Sequence, residues 1–151
     1  VAGSSPVFRS QREEIGFDRD RAVKCLQALV RCKTVSYRDP ALEDDAEFEK
    51  LLGILPRLYP NVFGACAVGK LPDRAVLIRW EGKAHDAPAV LMAHYDVVSD
   101  KDQDWTHPAF EAEIHDDVIW GRGTIDNKCI FTAILEAMEG LIALVESGFA
   151  D

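Results

Sequence analysis

Two short stretches of this chain carry side chains able to do chemistry. In "AHYD" (93–96), His94 and Asp96 stand two positions apart. On extended backbone they project from one face while Tyr95 and Val97 project from the other. An imidazole placed there is a good metal ligand, and a neighbouring carboxylate can hold its tautomer and orientation. A simple histidine–aspartate hydrogen bond at a sheet edge fits the same two residues. The second stretch, "WGRGTIDNK" (120–128), passes Gly121 and Gly123 and delivers Asp126 at the start of a helix. There Asp126 serves either as a ligand or as a helix cap, the commonest use of Asp at that position. The turn lacks the third glycine of a dinucleotide fingerprint and the Gly-Lys-Ser/Thr of a phosphate loop, so phosphate cradling is excluded.

The surrounding pattern must position these groups. Ala22, Cys25, Leu26, Leu29 and Val30 recur at helical spacing after Asp18 and Asp20, either of which can cap a helix. Phe48, Leu51, Leu52 and Leu55 repeat the pattern, and Pro56 should end or kink that helix near Leu55. Three runs rich in β-formers follow: 65–68, 75–80 and 88–94. The last two are nearly continuously apolar, as strands covered on both faces are. "AEIHDDVIW" (112–120) reads as a hairpin turning at Asp116-Asp117. A long helix over 128–147 closes the chain, with Ile130, Ala133, Ile134, Ala137, Met138, Leu141 and Leu144 expected to face inward. Helices, then strands, then a helix predict a layered α/β domain over 18–151, with 1–17 as a flexible N-terminal arm.

Composition narrows the partners. A 151-residue chain that is 48% hydrophobic and 28% charged is globular in type. Its net charge of −9 repels nucleic acid and anionic membrane surfaces and suits a cation or small molecule. No apolar run approaches the roughly 20 residues needed to span a bilayer. The four cysteines, Cys25, Cys32, Cys66 and Cys129, form no C-x-x-C pair and no signal-peptide pattern precedes them, so reduced thiols and a cytoplasmic location are expected.

Taken together, "LMAHYDVVSD" and "WTHPAFEAEIHDDVIWGRGTIDNK" resemble the N-terminal part of the catalytic domain of the M20 zinc peptidases, a family of aminoacylases, dipeptidases, deacylases and carboxypeptidases. The order and spacing of H-x-D, W-x-H-P and G-R-G-x-x-D-x-K agree together, and the likeness extends from about Asp18 to Asp151. It implies an α/β three-layer sandwich with a mixed, largely parallel sheet flanked by helices, here truncated. It implies His94 as a metal ligand, Asp126 as a carboxylate bridging two Zn2+ ions, with Co2+ or Mn2+ as substitutes, and Asp96 as the catalytic acid that orients His94. The Asp126–Asn127 bond matches a position that is usually cis. Arg122 is expected to support the loop and His107 to pack against the turn.

The implied reaction is hydrolysis of amide bonds in small peptides or N-acyl amino acids, with no nucleic acid or membrane partner and with homo-oligomers expected. Asp117 stands where the family usually has Gly, Ala109 where a second Pro is common, and Cys129 where Gly often follows the Lys. The family's Glu-Glu pair and later histidine are not among these residues, so the chain is expected to be an enzyme fragment that is inactive alone. The alternative is a non-catalytic homologue acting as a binding module.

Overall fold

The computed structural model describes residues 17–83, 88–101 and 103–148; the expected arm at 1–17 lies outside them except for Phe17. Helix α1 (Arg19–Val30) begins where the Asp18 side chain accepts from the Arg21 amide at 2.9 Å. That bond satisfies one of the amides a helix start leaves without a partner. Helix α2 (Asp45–Leu58) is capped in the same way by Asp44, which accepts from Ala46 at 3.0 Å. Pro56 does not end α2. Its missing amide costs one bond close to the terminus, and the Tyr59 amide still reaches the Leu55 carbonyl at 2.9 Å. Helix α3 (Pro60–Ala65) follows at once, with Pro60 in the first position, where it has no useful amide to lose. Helix α4 (Cys129–Glu146) closes the described chain.

Leu29, Leu51, Leu55, Tyr59, Val62, Leu135 and Ile142 bring all four helices into one core. Burying each such aliphatic side chain contributes about 1.5–3 kcal/mol. The face that α4 turns inward, however, is not the expected stripe. Thr132, Leu135, Glu136, Glu139 and Ile142 are buried, whereas Ile130 and Leu141 are 46% and 40% exposed. Polar partners decide this. The Glu139 carboxylate accepts from the amides of Asn61 at 3.0 Å and Val62 at 2.9 Å, and Glu136 pairs with Arg21 of α1. Charge-assisted bonds of this kind are about twice as strong as neutral ones, and the amides at the start of α3 have no other partner within that helix.

The strands depart further from expectation. Strands β1 (Ala67–Lys70) and β2 (Val76–Arg79) pair antiparallel, with Ala67 opposite Arg79 and Lys70 opposite Val76. Strands β3 (Ile114–His115) and β4 (Val118–Ile119) form the expected hairpin. Its two central residues, Asp116 and Asp117, take positive φ of 51° and 61°, so aspartates fill a turn that glycine usually eases.

The 88–94 run, expected as a covered strand, forms no regular element and is unpaired, and Val90, Leu91 and Met92 are 75%, 67% and 84% exposed. Strands β1 and β2 bond only to each other, which leaves this run no ladder partner among the described residues. Among the described residues the single parallel pairing is a bridge between Val35 and Val97. Helices and short antiparallel hairpins therefore make a small α/β arrangement, and the largely parallel sheet is not formed among the described residues. No helix there is long and apolar enough to cross a membrane.

Candidate metal centre

The Val35–Val97 bridge fixes the segment that carries His94. The Val97 amide donates to the Thr34 carbonyl at 2.8 Å, the Ser36 amide donates back to Val97 at 2.9 Å, and the Thr34 hydroxyl donates to the Tyr95 carbonyl at 2.5 Å. The Tyr95 ring, edge-on to Phe48 of α2 and tilted against Phe131 of α4, points the other way into the helices. The alternation expected of His94 and Tyr95 is thus realised without a regular strand.

Asp126 arrives on a wide turn, Thr124–Lys128, whose backbone leaves helical geometry at Asp126 and Asn127. The bond between those two residues is cis. Two glycines allow the turn to pack so closely. A Cβ on Gly121 would stand 2.6 Å from Val30 Cγ1, and one on Gly123, at φ +84°, would stand 2.4 Å from Val97 Cγ1. Beyond the turn, the wholly buried Lys128 donates from Nζ to the carbonyls of Leu29 at 2.8 Å and Cys32 at 2.7 Å, at the C-terminal end of α1. Burial lowers the Lys128 pKa to about 8, although Cys32, Glu47 and Asp96 act the other way.

These two supports bring the candidate residues together. His94 Nε2 lies 3.0 Å from Asp126 Oδ1, and His94 Nδ1 lies 3.1 Å from both Asp96 Oδ1 and the Asp96 carbonyl. The Asp126 carboxylate does not cap α4, which has no side-chain cap. The His94 pKa is raised: partial burial of the ring opposes its charged form, but the Asp96 carbonyl and the carboxylates of Asp126 and Asp96 outweigh it.

Ser36, which the sequence reading did not single out, donates from Oγ to Asp96 Oδ2 at 2.8 Å and so holds the group that holds the imidazole. No local spacing marks it, because it lies sixty positions from Asp96. Ser36, His94, Asp96, Trp105, Arg122 and Asp126 all line one cavity of about 470 Å³. Arg122 supports the loop, as expected, by donating to the Ser99 carbonyl at 3.2 Å and lying over the Trp105 ring at 5.0 Å.

The donors fit a divalent ion. With bonds of about 2.1 Å, neighbouring ligands of a tetrahedral site stand roughly 3.4 Å apart. The 3.0 Å between His94 Nε2 and Asp126 Oδ1 is close to that edge, and the other ring nitrogen is held as a ligand imidazole usually is.

Comparison with known proteins gives the class first. The matched relatives include carboxypeptidases and acyl-amino acid hydrolases by name. The chain is 35% identical over 115 residues to the probable carboxypeptidase S-like 2 of Dictyostelium discoideum, covering 74% of this chain and 22% of the relative. It is 32% identical over 152 residues to carboxypeptidase S of Saccharomyces cerevisiae, covering 91% and 26%. It is 47% identical over 142 residues to the N-fatty-acyl-amino acid synthase/hydrolase PM20D1 of Bos taurus, covering 89% and 28%. The chain thus spans about a quarter of the length of these curated relatives. No solved structure matches it. The family model described as peptidase family M20/M25/M40 matches residues 90–147, which hold both candidate stretches, and the chain belongs to that family.

Proposed function

We propose that this chain is the N-terminal part of a dinuclear-zinc hydrolase that cleaves amide bonds of small peptides or N-acyl amino acids. The observation that carries the reading is the meeting of His94 Nε2 and Asp126 Oδ1 at 3.0 Å on the wall of one cavity. His94 and Asp126 would hold the metal ions. Asp96 keeps the His94 ring in the tautomer that leaves Nε2 free to ligate, and Ser36 keeps Asp96 in place. When bound, zinc lowers the pKa of a water and polarises the scissile carbonyl. Co2+ or Mn2+ suits the same nitrogen and oxygen donors.

The carboxypeptidase and N-fatty-acyl-amino acid hydrolase names of the relatives favour substrates with an amide next to a free carboxylate. In the whole protein the exposed 90–92 run becomes an inner strand of a three-layer, largely parallel sandwich. A cytoplasmic, self-associating enzyme completes the reading. One imidazole and one carboxylate do not fill a two-zinc site, so the 151 residues alone are not expected to turn over substrate.

Zinc titration followed through the ring signals of His94 by NMR tests this directly. The signals are expected to shift on zinc addition, and Asp126→Ala is expected to raise the zinc concentration required at least about tenfold, since even outer partners of a metal cost 10–100-fold. His94 signals indifferent to zinc, or an unchanged titration in Asp126→Ala, would reject the assignment.

A further inference from the structure

A second cluster stands on the hairpin, separate from the His94–Asp126 pair. One ligand atom from each of His107, Glu113 and His115 lies within 4.8 Å of those of the other two. The facing nitrogens of both rings address one carboxylate oxygen: His115 Nε2 is 2.8 Å and His107 Nδ1 3.6 Å from Glu113 Oε2. The two rings stack at 3.7 Å with an interplanar angle of 12°, and His107 sits edge-on to Trp120 at 4.8 Å.

We propose that His107, Glu113 and His115 form a second divalent-metal site, of the two-imidazole, one-carboxylate kind that Zn2+ takes. The 2.8 and 3.6 Å separations bracket the roughly 3.4 Å edge of a tetrahedral zinc polyhedron, so both nitrogens already stand near ligand spacing from the carboxylate oxygen. A water fills the fourth position. The three side chains are 23% to 42% exposed, which leaves that position open to solvent. Imidazole ligands bind along in-plane lone pairs, and one ion cannot lie in the planes of two parallel rings. Binding therefore swings His107 and His115 out of their stack.

Such an ion would tie the His107 turn to strand β3, beside Trp120 on the wall of the cavity that holds His94. Its role is to fasten that wall, and it does not depend on catalysis at His94.

The test uses the whole 151-residue chain with His94→Ala, so that binding at the first pair is removed, and Zn2+ alone as the probe. One equivalent of zinc is expected to remain, and to be lost when His115→Gln is added. In the otherwise unaltered chain, Zn2+ should shift the ring signals of His107 and His115 together, and those shifts should persist in Asp126→Ala. The same two signals read the site even if the double variant folds poorly. Zinc that leaves both rings unmoved, or an equivalent that survives His115→Gln, would overturn the proposal. Loss of the His94 response with the His107 and His115 response intact would reject the first site and leave this one standing.

Discussion

Gly123→Ala is expected to destabilise the chain by about 2–5 kcal/mol, far more than one methyl group usually costs. Two penalties add. A residue with a side chain pays about 1 kcal/mol or more for the positive φ of 84° that glycine accepts freely. The new methyl would also stand 2.4 Å from Val97 Cγ1, and overpacking of this kind costs about 1–3 kcal/mol. Val97 has little room to retreat, because it is 4% exposed and both its amide and its carbonyl are bonded to the Thr34–Ser36 segment. Urea unfolding should show the midpoint falling by at least about 0.7 M, given slopes of about 1–3 kcal/mol/M. Gly140→Ala supplies the contrast: nothing lies within 4 Å of a Cβ there, the residue is helical, and stability should rise by up to about 1 kcal/mol. A Gly123→Ala loss below about 1 kcal/mol would show that the turn yields and that the contact with Val97 is not what holds it.

Glu139→Ala should be nearly as harmful, at about 2–4 kcal/mol. It removes both acceptors from the amides of Asn61 and Val62. The buried Val62 donor left without a partner costs about 1–3 kcal/mol and the part-buried Asn61 donor about 1 kcal/mol. Glu139→Gln separates this from simple loss of volume. The two amides are served by different oxygens, Oε1 and Oε2, and a glutamine offers only one, so about half the loss should return. Hydrogen exchange at Asn61 and Val62 should quicken in step with the drop in stability. If both variants unfold at the urea concentration of the parent chain, the inward turn of α4 has another cause.

That inward turn also shows where reading the sequence stops short. Helix positions and the Asp116-Asp117 hairpin were legible because each rests on local spacing, whereas the closeness of His94 to Asp126, 32 positions apart, was legible only through the family resemblance. The face of α4 was not. Apolar periodicity tells which side chains tolerate burial, but Glu136 and Glu139 face inward because Arg21 and the start of α3 meet them there, far away in the sequence. The same holds for Ser36, whose use depends on the Val35–Val97 bridge bringing it to Asp96. The 88–94 run failed for the opposite reason: its composition suits a covered strand, but a strand needs a neighbour, and none of the described strands pairs with it.

Lys128 gives the chain an unusual response to alkali. Its folded pKa of about 8 lies below the ordinary lysine value of 10.5, so its contribution is complete above 10.5 and is lost as pH falls through 8. Between those values the unfolded chain binds the extra proton, and raising the pH favours the folded form. A neutral amine still has two N–H groups, as many as the carbonyls of Leu29 and Cys32 require. Removing the proton therefore relieves a buried charge without untying the joint, and the stability gap between the parent chain and Lys128→Met should widen from pH 8 to 10.5. The fastening between the first helix and the aspartate turn is thus proof against base, and the molecule's alkaline limit is set by other groups, such as the buried Cys25 and Cys32 thiols.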